Sequence, residues 1–159
     1  GLPKSCRVAY LTQTTLSLDD TAGIIAVLRK RFPEIEGPAK DDICYATQNR
    51  QNAVKKLAVE VELVLVVGAQ NSSNTLRLVE VAENSGTRAI RIQSSSELEP
   101  AFLEGCSRIG ITAGASAPED IVQGIVEKIR QWNPECRVRE LKLTEEHVSF
   151  GLPLQLKNP

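Results

Sequence analysis

No CxxC pair joins any two of the four cysteines: Cys6, Cys44, Cys106 and Cys136 are scattered along the chain. A structural zinc site or a dense disulfide framework calls for closer spacing, so spacing alone identifies no metal site. Each cysteine taken by itself reads as a reduced, partly buried, small apolar residue. Neither sign of charge is in excess. The net charge is -1, which leaves no electrostatic footprint for DNA, RNA or an acidic membrane surface. No apolar run approaches the roughly 20 residues that span a bilayer, and no charged-then-apolar leader opens the chain, so a soluble, cytoplasmic protein is expected. Neither GxGxxG nor GxxxxGK[ST] occurs, which removes the usual dinucleotide and P-loop signatures. Methionine is absent altogether, and the chain opens GLPKSCRVAYL and enters an apolar segment almost at once. That start suggests a fragment whose earlier portion is missing. The one histidine, His147, falls in the closing segment HVSFGLP and reads as a solvated or packing residue rather than a catalytic one.

What is present is ordinary globular composition, 42% hydrophobic and 25% charged, in a length that fits one domain or parts of two. Residues 7–11, RVAYL, form a strand candidate. TQTTLSLDD leads from it into TAGIIAVLRKRF, where Ser17 with Asp20 resembles a capping box, Ile24, Ile25 and Leu28 make an apolar stripe, and Pro33 closes the helix. DDICYAT then leads into QNRQNAVKKLAVEV, with Ala53, Val54, Leu57 and Ala58 on one helical face. ELVLVVG, continuous and β-branched, reads as a strand buried on both faces. AQNSSN follows, then the helix TLRLVEVAENSG with Gly86 as its C-terminal stop. RAIRI and RIGIT are further strands, IVQGIVEKIRQW a last helix, and RVRELKL and HVSFGLP short strands or extended tail.

Strands alternating with helices imply βαβ units and a parallel sheet, hence an α/β fold. In such a sheet every strand-to-helix corner lies on one edge, where ligands bind. TQTT, CYAT, NSSN and GAS should therefore converge there. They share neutral hydroxyls, amides and small residues, with no charge after Arg108 until Glu119 in RIGITAGASAPE. Free N–H groups at helix N-termini suit a phosphate or another anion, Gly114 permits close approach, and Ser116 adds a donor. The simpler alternative is that Ser116 and Glu119 form a capping box and nothing more.

Four stretches in register, TQTTLSLDDT, KDDICYATQNRQ, VVGAQNSSNTLRLVEVA and GITAGASAPEDIV, resemble the C-terminal half of the 4-hydroxy-3-methylbut-2-enyl diphosphate reductases. The likeness weakens only in residues 93–106 and after about residue 130. It implies small α/β domains, three in all, around a [4Fe–4S] cluster held by three cysteines. The implied reaction is reductive removal of the substrate hydroxyl as water. It yields isopentenyl and dimethylallyl diphosphates in the methylerythritol phosphate isoprenoid pathway, with electrons from a ferredoxin- or flavodoxin-type donor. On the same resemblance Cys44 is the last of the three cluster ligands, and Thr14 contacts the hydroxyl end and supports proton delivery. Ser72, Ser73, Asn74 and Ser116 hold the diphosphate. Cys6, Cys106 and Cys136 lie outside the matched stretches and are not assigned as ligands.

The interruption FPEIEGPAKDD sets the expected division. Residues 1–40 would end a middle domain, residues 41–145 would form the last domain with the cluster cysteine and the diphosphate corners, and residues 146–159 would be a tail. The other two ligands, the substrate-binding histidines and the acidic proton donor of the family belong to the N-terminal half, so this chain alone is not expected to turn over. Two alternatives stand beside that reading. One is a non-catalytic diphosphate-binding α/β module. The other is a structural domain whose corners are only helix caps.

Overall fold

Every residue of Leu63–Val67 (β1) is fully buried, and the rest of the fold is arranged around that strand. The protein is known here from a computed structural model, which describes residues 2–3, 6–38 and 43–141. β1 lies in the middle of a three-stranded parallel sheet, between Arg88–Ile92 (β2) and Ile109–Ala113 (β3). Its first residue, Leu63, faces Arg88 and Ile109, and its last, Val67, faces Ile92 and Ala113.

Side chains alternate across a strand, so LVLVV feeds two cores. Val64 and Val66 pack with Val54 of the helix Tyr45–Ala58 (α2) and with Leu78, Val81 and Ala82 of Ser73–Asn84 (α3). Leu63, Leu65 and Val67 pack on the other face with Ile92, Leu98 and Ile125 of Glu119–Trp132 (α5). Burying one such side chain contributes roughly 1.5–3 kcal/mol, so these five residues anchor a three-layer α/β/α arrangement. The sequence reading of ELVLVVG as a strand covered on both sides holds. Gly86 also falls where the helical pattern placed it, just past the Ser85 C-cap at φ 84°.

At the other end of the sheet, Glu62 ties β1 to β3. Its backbone N–H donates to Arg108 O at 3.0 Å, and its carboxylate accepts from the Arg108 N–H at 2.6 Å and from the guanidinium at 3.3 Å. The Arg108 backbone N–H is the main reason that the Glu62 carboxyl sits below its usual range, with the Arg108 side chain assisting. A carboxyl depressed on folding stabilises the fold above its unfolded value, and that share is lost as pH falls through the lower folded value. Thermal unfolding followed from pH 7 to pH 3 is therefore expected to show a smaller acid-side loss in Glu62→Gln than in the unsubstituted chain. Parallel curves for the two proteins would contradict the assignment.

Among the described residues one helix, Leu18–Arg31 (α1), runs before α2. Ser17 caps it as the sequence suggested, its Oγ accepting the Asp20 N–H at 3.2 Å. Its expected apolar stripe joins neither core: Ile25 and Leu28 are half-buried, Ile24 is 61% exposed, and Thr21 is the residue the helix buries.

Several boundaries differ from the sequence expectation. RVAYL is no strand of the sheet; it contributes a single parallel bridge, Ala9 with Glu36. Cys44 is itself the N-cap of α2, so CYAT is mostly the first helical turn rather than a strand-to-helix corner. After β2 the chain makes one 3-10 turn, Ser95–Glu97, and a four-residue helix, Pro100–Leu103 (α4), which supply the second face. The part of RVRELKL up to Leu141 forms no strand. The segment HVSFGLP, with His147, lies outside the described residues.

Candidate functional site

β1 and β3 are in-register parallel neighbours, so their carboxyl ends, and the two corners that follow them, must lie side by side. The chain leaves them in opposite directions: α3 covers the face shared with α2, and α5 covers the other. A crevice between diverging connections at the carboxyl edge is where ligands bind in open α/β sheets. Backbone bonds lock its floor. Gly68 N–H donates to Ile92 O at 3.0 Å, and Gly114 N–H donates to Val67 O at 2.8 Å.

The first turn of α3 fills the gap between the two strand ends. Ser72 is its N-cap, the hydroxyl accepting the Thr75 N–H at 3.2 Å. Thr75 is completely buried, and its hydroxyl occupies the place that a Cβ on either glycine would need. A Cβ built on Gly114 would lie 2.5 Å from Thr75 Oγ1, and one on Gly68 nearer still. These glycines are required by space. They let the free N–H groups of α3, and the partial positive charge at its N-terminus, reach the crevice.

Asn74 is the most informative residue here. It is nine-tenths buried, yet among the described residues neither its Nδ2 nor its Oδ1 has a partner, and Thr75 Oγ1 is likewise unpaired. Leaving a buried polar group unsatisfied costs about 1–3 kcal/mol, so orphaned groups in one helical turn call for an explanation such as a ligand. Asn74 Nδ2 would be 3.7 Å from a Cβ on Gly114, which puts the amide against the second corner. Ser73 is exposed at the start of α3.

Ser116 is exposed in the turn closed by Ala117 N–H on Gly114 O at 3.0 Å. The capping box with Glu119 does not form, because Pro118 is the N-cap of α5 and no side chain caps that helix. The Glu119 carboxylate instead accepts from Gln123 at 2.8 Å. A proline fixed at φ -65° positions the helix start without a hydroxyl, which leaves Ser116 outside the helix.

Thr14 and Cys44 form a second pair. Gln13–Leu16 is a turn, with Leu16 N–H donating to Gln13 O at 3.2 Å, and Cys44 N–H donates to Thr14 O at 3.4 Å. The helix α2 returns through a short link into β1, so its N-terminus must point to the same edge as that of α3, against which it packs. Cys44 is exposed there rather than in a core. Sequence reading missed three residues of this edge. Thr75 carries no signal beside NSSN. Arg91 on β2 donates to Gln70 O at 2.9 Å and steadies the first corner. Gln51, 1% exposed, reaches from α2 into the Thr14 segment. A recess of about 380 Å³ beside Tyr10, Thr21, Ile25 and Ile43 contains none of the six residues singled out in the sequence.

The cluster chemistry finds one thiol and no more. All four cysteines are free, and among the described residues no group of three or more His, Cys, Asp or Glu side chains could hold a metal ion. Cys44 is an exposed thiol, and these residues alone do not complete a cluster site. Among the described residues no helix is long and apolar enough to cross a membrane.

Comparison with known proteins shows the family and the fold. Residues 2–130 match the family model described as LytB protein. The 4-hydroxy-3-methylbut-2-enyl diphosphate reductase of Acidithiobacillus ferrooxidans is 55% identical over 150 residues, covering 94% of this chain and 47% of that protein. That of a Psychrobacter species is 52% identical, covering 96% and 48%. Among solved structures, the E-1-hydroxy-2-methyl-but-2-enyl-4-diphosphate reductase of Plasmodium falciparum superimposes with a TM-score of 0.79 at 36% identity, covering 85% of this chain and 42% of the other. The chain thus spans about half the length of the curated relatives it matches.

Proposed function

The chain belongs to the LytB protein family, and on that premise we propose that it supplies the diphosphate-binding half of a 4-hydroxy-3-methylbut-2-enyl diphosphate reductase. The observation that carries this reading is the buried, unpartnered Asn74 amide facing the Gly114 corner. An anion seated between the two corners would accept from Asn74 Nδ2, from the hydroxyls of Ser73 and Ser116 and from free N–H groups at the start of α3. Ser72 already accepts one backbone N–H through its oxygen, which leaves its own proton to donate. Hydrogen bonds to a charged acceptor are the strong ones, so a few neutral donors suffice without a lysine or arginine.

At the other end of the substrate, Thr14 would meet the hydroxyl group and relay a proton, and Cys44 would be one of three thiolate ligands of a [4Fe–4S] cluster. The chemistry such a cluster supplies when bound is electron delivery: two electrons and two protons cleave the C–O bond and release the hydroxyl as water. The remaining two ligands would come from sequence corresponding to the preceding half of the relatives. We place this reaction in the cytoplasm, fed by a ferredoxin- or flavodoxin-type donor. The same reading assigns residues 1–40 to a middle domain, residues 41–145 to the last domain and residues 146–159 to a tail. The exposed Ile24 and Val27 on α1 support an apolar contact that the rest of a middle domain would cover.

Two measurements test the proposal. Joined to the preceding half of the Acidithiobacillus relative, the chain is expected to take up iron anaerobically and reduce the hydroxylated diphosphate. In the chain by itself, Asn74→Ala should leave thermal stability unchanged or slightly raised, since it removes an unsatisfied buried group. It should weaken inorganic diphosphate binding by about 1–3 kcal/mol, as should Ser116→Ala. Diphosphate affinity that does not respond to either change would remove the binding site. Diphosphate binding without iron uptake or turnover in the completed protein would favour a non-catalytic binding module.

A further inference from the structure

We infer that Gln51 is a positioning residue that holds the Thr14 turn in register with Cys44. This inference rests on the proposed roles of Thr14 and Cys44. The Gln51 side chain is 1% exposed and uses both ends of its amide on one stretch of chain: Nε2 donates to Leu16 O at 2.8 Å, and Oε1 accepts the Leu18 N–H at 3.1 Å. Those two backbone groups bracket Ser17, the N-cap of α1, and Leu16 closes the turn that carries Thr14.

Cys44 and Gln51 lie seven residues apart on α2, two helical turns along one face. The Thr14 turn is therefore pinned to that face at two heights. Cys44 N–H holds Thr14 O near the helix start, and the Gln51 amide holds Leu16 and Leu18 further along. The first pin, a bond of 3.4 Å, fixes the turn at Thr14. The planar amide of Gln51 fixes it at a second point through two bonds. Asp19 and Lys55, paired at 2.6 Å on the exposed surface, add an ion pair between the same two helices, but such pairs contribute little to geometry. A buried glutamine meeting both a carbonyl and an N–H cannot be exchanged for a charged residue without orphaning one of them, or for an apolar residue without orphaning both. The glutamine thus serves the placement of a hydroxyl that it does not itself touch, much as outer groups orient metal ligands.

The test uses the completed protein described above with Gln51→Leu and Gln51→Glu, the latter keeping the acceptor for Leu18 and losing the donor for Leu16. Gln51→Leu is expected to speed amide exchange at Leu18 and Cys44 by roughly tenfold or more, with the β1 amides unaffected. It should lower kcat by roughly 10–100-fold at unchanged iron content and unchanged diphosphate affinity, with Gln51→Glu in between. A general loss, in which the β1 amides exchange faster and iron content falls in step with kcat in both variants, would make Gln51 a residue of the fold only and overturn the inference. So would loosened Leu18 and Cys44 amides with kcat intact. If the unsubstituted completed protein neither binds iron nor turns over, the proposed reaction fails. The exchange pattern then still decides whether Gln51 fixes the turn.

Discussion

In the completed protein, Cys44→Ser is expected to abolish both iron uptake and turnover while leaving the fold intact. Serine is among the preferred N-cap residues, and Cys44 makes no capping bond with its side chain, so the substitution should leave α2 as stable as before or slightly more so. Cys44 is also exposed and contributes nothing to either core. What changes is the donor atom. Soft thiolate sulfur suits iron–sulfur clusters, whereas a serine hydroxyl is protonated near neutral pH and presents hard oxygen. Parallel changes at Cys6, Cys106 and Cys136 should retain the cluster, since of the four cysteines Cys44 is the one whose backbone bonds to Thr14. Iron content measured anaerobically, with turnover and thermal unfolding, decides the matter. A Cys44→Ser protein that keeps its cluster would show that the ligand had been misassigned.

The second large effect belongs to Gly114. A methyl group there would intrude on Thr75 Oγ1 at 2.5 Å, and Thr75 is fully buried in the first turn of α3. Overpacking of this kind costs about 1–3 kcal/mol, so Gly114→Ala should lower the unfolding midpoint clearly. Pushing α3 away from the β3 corner also separates Asn74 from Ser116, and diphosphate affinity should fall by roughly tenfold or more. The cause can be isolated. Thr75→Ala removes the atom that is struck, so the double variant Gly114→Ala, Thr75→Ala should recover part of both losses, with a coupling of about 0.5–3 kcal/mol between neighbours. Strictly additive effects would mean that the two residues do not meet and that the crevice is built some other way.

Much of this was legible because it depends on local rules. An unbroken LVLVV announces a strand covered on both faces. NSSN and GASAP announce corners poor in charge and rich in small polar groups. Ser17 and Gly86 mark helix ends through capping chemistry that needs no tertiary partner. Errors arose where two signals looked alike. The alternative of a Ser116–Glu119 cap has the right spacing, but Pro118 sets the helix start through its own fixed φ. RVAYL has strand composition, yet a strand exists only by pairing, and Ala9 finds one bridge partner among the described residues. Of the stripe Ile24, Ile25 and Leu28, Ile24 stays exposed, because helical spacing does not supply a covering surface.

The sequence by itself determined the alternation of elements, the central strand, the two corners and the family resemblance, since each is written in consecutive residues. Only the tertiary structure decided that β3 pairs with β1, which is what brings residues 72–74 and 114–116 together across forty positions. It also decided that Asn74 is buried without a partner, that Thr75 needs two glycines, and that Gln51 spans thirty-five residues to Leu16. Burial, steric exclusion and long-range hydrogen bonds belong to pairs of residues distant in the chain, and a single sequence specifies the members of such pairs without saying which of them meet.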